Sequence, residues 1–326
     1  MRVGMIGAGW IATDHVARLR GTVGVELVGV CDLDAERARA LAGSAAVYTD
    51  WRALVDGESP DAVFVCTPPQ THREIAVAAL EQGIHTYLEK PIARGLDDAR
   101  AIVETAGRAQ AVCAIGYQWR AVEALDALRE ALEGQELGLL IGIATGPTKS
   151  RPWFLDRAQG GGNLLERASH QIDLERAVGG EVVAVQAAAA SVTLAQSAGG
   201  DRGDIEDAAA LVLQLANGGI GTIQIAWTRD ELPGVYSLDV LGSDSSLHLE
   251  LDPAFTLSSR SAGRPVHAAM RQHPSDRTVE RFLDAARAGD QAAVFCTPVD
   301  AAGTLAVALA CEEAIASGAT VPVSGI

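Results

Sequence analysis

The chain has no run of about 18 apolar residues, the length a membrane-spanning helix needs, so no part of it is expected to span a membrane. Basic charge is scarce: 26 Lys and Arg stand against 42 Asp and Glu, a net charge of −16. A surface for nucleic acid or anionic lipid needs a basic patch, so neither is an expected partner. Cysteine is sparse and unpatterned. Cys31, Cys66, Cys113, Cys296 and Cys311 are scattered, odd in number and form no C-x-x-C pair. That argues against a disulfide framework and for small buried hydrophobes in a reducing, cytoplasmic compartment. No signal segment is expected, since the first apolar run begins almost at Met1. There is no internal repeat. No third ligand accompanies the His–carboxylate pair described below, so no metal is expected. What remains is an ordinary globular composition, 48% hydrophobic and 21% charged, over 326 residues. That length suits two domains, each with its own core.

The most informative positive feature is a glycine loop after a short apolar run. Arg2-Val3-Gly4-Met5-Ile6 leads into Gly7-Ala8-Gly9-Trp10-Ile11-Ala12, a helical pattern follows, and a second run, Val25 to Cys31, ends at Asp32. Strand, loop, helix, strand and acid in that order predict a dinucleotide site. Gly7 permits the turn, Gly9 lets backbone approach a pyrophosphate, and Ala12 lets helix and strand pack. The amides opening the helix, at Trp10 and Ile11, face the phosphates. Asp32 would accept the hydrogens of the adenosine ribose. With Asp34 close by it favours NAD over NADP, a preference that Arg37 and Arg39 could offset.

Residues 1 to about 118 alternate apolar runs with helical patterns, which predicts a doubly wound parallel sheet. Asp34 to Ala42 reads as a helix stopped by Gly43, Thr71 with Glu74 offers a capping box, and Ala111 to Ile115 is the sixth strand. From residue 119 the pattern changes. Longer strand-like runs (Leu139–Thr145, Val182–Leu194, Ala208–Leu215, Ile220–Trp227, Val235–Leu241, Leu247–Leu251) are joined by turn signals such as Asn217-Gly218-Gly219 and Gly242-Ser243-Asp244. These predict a largely antiparallel sheet. A helix over Leu164 to Val178 interrupts the strands, two helices close the chain, and Gly199 to Gly203 reads as an exposed loop. The expected domains are 1–118 and 119–326.

Two segments could carry chemistry. Glu89-Lys90-Pro91 ends the fifth strand, where ligands of open α/β sheets gather. Lys90 there could pass a proton to or from a substrate oxygen, with Glu89 pairing with it or touching the cofactor; a strand-end ion pair and turn is the plainer alternative. In Gly160-Gly161-Gly162-Asn163-Leu164-Leu165-Glu166-Arg167-Ala168-Ser169-His170, Glu166 and His170 share one face of a helix, so the carboxylate could orient the imidazole. A solvated Glu–His pair is the alternative. Thr67 and Pro68 follow the fourth strand and, with His72 beyond them, are candidate cofactor contacts. Gln118 is a further cofactor candidate and Arg120 a substrate one, in Tyr117-Gln118-Trp119-Arg120 at the domain crossing. Lys149, Arg151 and Trp153 line either a polar substrate mouth or a plain surface loop.

Together these residues resemble the Gfo/Idh/MocA oxidoreductases, the family of glucose–fructose oxidoreductase and inositol dehydrogenase. The likeness runs through GAGWIA, Asp32, CTPPQTH, EKP, GYQWR, GGGNLLERASHQID and the last helix, ending near Gly318 with Val321. The resemblance implies a Rossmann domain followed by an α+β domain with a large, open, mostly antiparallel sheet that packs against another subunit, hence a homodimer or homotetramer. It also implies Lys90 and His170 as the catalytic pair. Glu166 stands where the commonest family pattern has aspartate, and Pro69 where asparagine is common. The expected activity is hydride transfer between a nicotinamide and a secondary alcohol or ketone of a sugar, inositol or related polyol. The alternatives are a redox-neutral epimerase or lyase that uses NAD transiently, and a non-catalytic NAD-binding regulator.

Overall fold

Short, continuous apolar runs in the first 118 residues become strands buried on both faces, as parallel sheets require. The computed structural model describes residues 1–147, 157, 161–192, 205–228, 233–259 and 266–325. The chain divides into two units: Met1–Gln118 with Ser275–Ala302, and Trp119–Pro274 with Gly303–Ile326. The first unit contains β1 (Arg2–Ile6), α1 (Trp10–Gly21), β2 (Glu26–Cys31), α2 (Ala35–Ala42), β3 (Ala46–Tyr48), α3 (Trp51–Glu58), β4 (Ala62–Val65), α4 (His72–Glu81), β5 (His85–Leu88), α5 (Leu96–Arg108) and β6 (Cys113–Ile115). The strands pair in the order β3-β2-β1-β4-β5-β6, all parallel. This is a doubly wound sheet whose order reverses between β1 and β4, the switch point at which such sheets bind ligands.

The count of six strands left the third without a place, which is β3, and α3 was not anticipated. The strand is three residues long, and the helix carries Gly57 in its last turn. Tertiary packing makes up for weak propensity: Leu54 of α3 is fully buried over Gly4 of β1 and Gly29 of β2, which have no side chain to obstruct it. The capping box at α4 does not form. Thr71 Oγ1 donates to Pro68 O (2.9 Å) and lies 2.7 Å from Thr67 Oγ1, while Glu74 pairs with Arg52. The single-turn helix Pro69–Thr71 ahead of α4 turns the Thr71 hydroxyl back toward the loop.

Residues 275–302 return to the first unit, so the expected second domain does not hold everything beyond 118. Phe282, on the helix Pro274–Ala288, packs against Phe64 and Tyr87 with ring centroids 5.5 and 5.6 Å apart. Gln291 closes the edge of β6 as another strand would: its Oε1 accepts from Cys113 N (2.7 Å) and its Nε2 donates to Cys113 O (2.9 Å). Ile115 N donates to Cys296 O at 3.0 Å.

The second unit contains α6 (Ala124–Leu132), β7 (Leu137–Pro147), α7 (Ser169–Gly179), β8 (Val182–Ala190), β9 (Ala208–Leu215), β10 (Ile220–Thr228), β11 (Val235–Gly242), β12 (Ser246–Glu250), β13 (Thr256–Ser259), β14 (His267–Ala268) and β15 (Val321–Pro322). They form a nine-stranded sheet in the order β14-β13-β12-β11-β7-β10-β9-β8-β15. The expected hairpins join β9 to β10 and β11 to β12. One pair, β7 with β10, is parallel.

Helix α7 lies on one face of this sheet. Gln171 and Glu175 occupy the space left by Gly142 of β7 and Gly221 of β10, where any Cβ would collide with them. Glu175 is fully buried, and neither carboxyl oxygen makes a hydrogen bond of normal geometry. Burial pushes its pKa well above the usual carboxylate range, opposed in part by the Gly142 amide. On the opposite face, Leu139, Ile141 and Ile143 of β7 are half-buried, and Val212, Ile220, Val235 and Leu241 are 37%, 45%, 51% and 36% exposed. Register sets Leu139 beside both Ile220 and Leu241. The Gly199–Gly203 loop lies outside the described residues. Among the described residues no helix is long and apolar enough to cross a membrane.

Candidate active site

The ends of β1, β2 and β4 are in register, which lines up the loops that follow them. Gly7 N donates to Cys31 O and Cys66 N to Ile6 O, both at 2.7 Å. Gly7 has φ +95°, and a Cβ there would lie 2.6 Å from Cys66 O, so this position requires glycine on two counts. Gly9 differs: a Cβ there would meet nothing within 4 Å. It is the N-cap of α1 and offers no side-chain cap, and the first turn carries no acid. The α1 amides and the positive end of its dipole thus face an open cradle that suits a pyrophosphate. Gly9 and Trp10 are exposed and Ile11 is half-buried.

Asp32, half-buried beyond β2, is held on both oxygens. Oδ2 accepts from Ala8 N (2.7 Å) and Oδ1 from Asp34 N (2.9 Å). It therefore presents a fixed negative charge beside the loop. Asp34 caps α2 by accepting from Glu36 N and Arg37 N, and Arg37 Nε lies 3.5 Å from it. Thr67 is half-buried and Pro68 exposed, both beyond β4.

His72, a candidate cofactor contact, faces the interior. It is fully buried, with Nε2 2.9 Å from Thr67 O and Nδ1 3.0 Å from Pro91 O. Burial holds its pKa below the ordinary histidine value. Its ring ties the loop after β4 to the turn after β5. Gln118 is also engaged, its Oε1 accepting from Ser275 Oγ.

That turn carries Glu89 and Lys90, both half-buried, and the Lys90–Pro91 peptide is cis. Glu89 Oε1 lies 2.8 Å from Nε2 of His15 on α1, and Oε2 accepts from Lys90 N at 3.2 Å. The His15 bond and the nearby Lys90 charge draw the Glu89 pKa below its usual value despite burial. Reading the sequence missed His15, whose signal was its place on the buried face of α1 with Ala12, Val16 and Leu19.

In the second unit the expected helix starts differently. Leu164–Ala168 is a wide π turn, and α7 follows from Ser169. Such turns frequently interrupt helices at functional sites. Gly161 (φ +81°) and Gly162 (φ +74°) lead into it. Glu166 lies in the wide turn and His170 in the first turn of α7; both are half-buried. The His170 ring packs on Trp119, with centroids 5.1 Å apart.

Arg167, also overlooked, fastens this turn to the sheet. Nη1 donates to Gly146 O (3.0 Å) and Ala226 O (3.1 Å), and Nη2 to Pro147 O (3.1 Å). Burial lowers its pKa from the ordinary arginine value. Glu206 accepts from Leu164 N at 3.2 Å and pairs with Arg157. Arg120, expected on substrate, instead grips fully buried Asp173 of α7 with two bonds, at 2.8 and 2.9 Å. A planar guanidinium fits a carboxylate this way, and Thr304 adds a bond to Asp173 at 2.9 Å. Trp153, Lys149 and Arg151 lie outside the described residues. Among the described residues no group of three His, Cys, Asp or Glu side chains could hold a metal ion.

Residues 1–117 match the oxidoreductase family with the NAD-binding Rossmann fold, and residues 125–248 match the GFO/IDH/MocA C-terminal domain. The chain belongs to the Gfo/Idh/MocA oxidoreductases. It is 30% identical to a myo-inositol 2-dehydrogenase of Thermotoga maritima over 68% of this chain and 67% of that one. It is 29% identical to an inositol 2-dehydrogenase of Saccharopolyspora erythraea over 99% and 96%. Among solved structures, a levoglucosan dehydrogenase in complex with NADH and levoglucosan shares the fold, with a TM-score of 0.86, 21% identity and 99% of each chain covered.

Proposed function

We propose that the protein is an NAD-dependent dehydrogenase of a secondary alcohol on a sugar, inositol or related polyol. The observation that carries this reading is Lys90. It stands half-buried at the carboxyl end of β5, beside an ionised Glu89 and on the same sheet as the glycine cradle. The inositol dehydrogenases among its relatives support the substrate class.

The α1 amides and Gly9 would hold the pyrophosphate, Asp32 the adenosine ribose, and Thr67 and Pro68 the nicotinamide half. NAD, when bound there, would supply the hydride acceptor or donor at its nicotinamide. Lys90 and His170 act on the substrate hydroxyl, one accepting its proton as the carbonyl forms and the other donating a hydrogen bond to the same oxygen. Glu166 orients the imidazole, and its side chain is one methylene longer than the usual aspartate. Asp32 and Asp34 favour NAD, because a 2′-phosphate would meet two carboxylates.

We place a second copy of the chain on the exposed aliphatic face of the nine-stranded sheet. The five cysteines, none of them in a disulfide, suit a reducing cytoplasm.

The test is a panel of sugars, inositols and sugar acids followed by NADH and NADPH absorbance, with Lys90→Ala beside the parent. The expected result is net NADH formation that Lys90→Ala lowers at least a hundredfold while NAD binding persists. Full turnover in Lys90→Ala refutes the proton role. Turnover of substrate without net NADH favours redox-neutral chemistry.

A further inference from the structure

We propose that His15 is a positioning residue for Lys90: it fixes Glu89 as the negative neighbour of the lysine and joins the helix after the glycine loop to the turn that bears the amine. The proposal rests on the reading of Lys90 as the proton-transfer group.

Both carboxylate oxygens of Glu89 are held. A carboxylate only accepts hydrogen bonds, so the 2.8 Å contact makes His15 Nε2 the donor to Glu89 Oε1. The other carboxylate oxygen accepts from the Lys90 amide at 3.2 Å, so one group holds both the start of the turn and the charge beside it. The His15 ring is only 2% exposed and packs against the stacked rings of Tyr87 and Phe64, with centroids 5.1 and 5.5 Å away. It cannot swing away without breaking that packing. Three residues earlier on the same helix, Ala12 packs against the sheet.

Other titratable groups surround Glu89. Burial pushes the Cys66 thiol and the Tyr87 phenol well above their ordinary values and draws His72 below its own. From α1, Arg18 is paired with Asp276, and from the returning segment the Cys296 thiol donates toward Thr297 O. Glu89, held by His15, is a negative charge whose field reaches Lys90.

The test needs no substrate. The chain has two lysines, Lys90 and Lys149, so trace acetylation across a pH series, read by peptide mass spectrometry, follows the Lys90 amine with Lys149 as the internal reference. An ammonium that loses a neighbouring carboxylate releases its proton more readily. Glu89→Gln should move the Lys90 labelling midpoint down by about one pH unit or more. His15→Leu should move it in the same direction, and His15→Gln, which keeps an N–H near the Nε2 position, should restore it. The Lys149 midpoint should not move. A Lys90 curve in His15→Leu that overlays the parent, with the variant folded, overturns the proposal. Should His15→Leu not fold, an unmoved curve in Glu89→Gln overturns it equally. Retained turnover in Lys90→Ala would instead sink the proton role of Lys90 and leave the labelling result standing.

Discussion

Glu175→Gln should make the protein more stable at neutral pH and leave it unchanged in acid. Glu175 is fully buried against Gly142 and Gly221, and its pKa is raised well above 4.5. Between 4.5 and that raised value the unfolded chain has released this proton and the folded chain has kept it. Stability therefore falls as pH rises, by up to about 1.4 kcal/mol per unit for this group. From pH 5 to pH 7 the loss reaches up to about 2.7 kcal/mol. Glutamine has nearly the same shape and does not titrate, and Gln171 Oε1, one turn away, has no partner and could accept from the new amide. Subtracting parent from variant cancels the other titrating groups. The assay is thermal unfolding from pH 4 to pH 8, where about 2 °C is expected per kcal/mol for a chain of this size. The difference should be near zero at pH 4 and grow with pH. Curves that stay parallel, or a variant that is less stable at pH 7, would refute the buried neutral acid.

Gly7→Ala should abolish NAD binding in calorimetry and cost about 1–3 kcal/mol of stability, since the new Cβ meets the Cys66 carbonyl at a left-handed φ. Arg167→Met should leave three carbonyls without their donor, at Gly146, Pro147 and Ala226. It should lower the melting temperature by several degrees and reduce kcat more than it changes the Kd for NAD, because the turn that carries Glu166 loses its tether.

The first unit was largely legible because its signals are local. Glycine spacing, an acid after the second apolar run and buried strands all survive translation into three dimensions. The cofactor loop owes its form to Gly7 and Asp32, and both are visible in the chain. Contacts that span many residues were hidden. Leu54 docks α3 through two glycines in other strands, and the return of residues 275–302 depends on Phe282 finding Phe64. Arg120 read as a substrate residue because its partner, Asp173, is 53 residues away. His72 read as a ligand contact because loop position does not reveal that both ring nitrogens face backbone carbonyls. The wide turn at Leu164–Ala168 was invisible for another reason: its sequence has ordinary helical composition, and what sets its shape is the arginine reaching carbonyls on β7 and β10.

The closing of the β6 edge by Gln291 bears on how the protein is made. When the ribosome has released the first 118 residues, the nucleotide-binding sheet still has a bare outer rim, and the Phe64–Tyr87 stack has no lid. More than 150 further residues must emerge before Phe282 and Gln291 can seal them. Through that interval the nascent sheet offers unsatisfied backbone to any neighbouring strand. A message cut short before codon 291 would leave a product prone to edge-to-edge association, even though every residue of its glycine cradle is present.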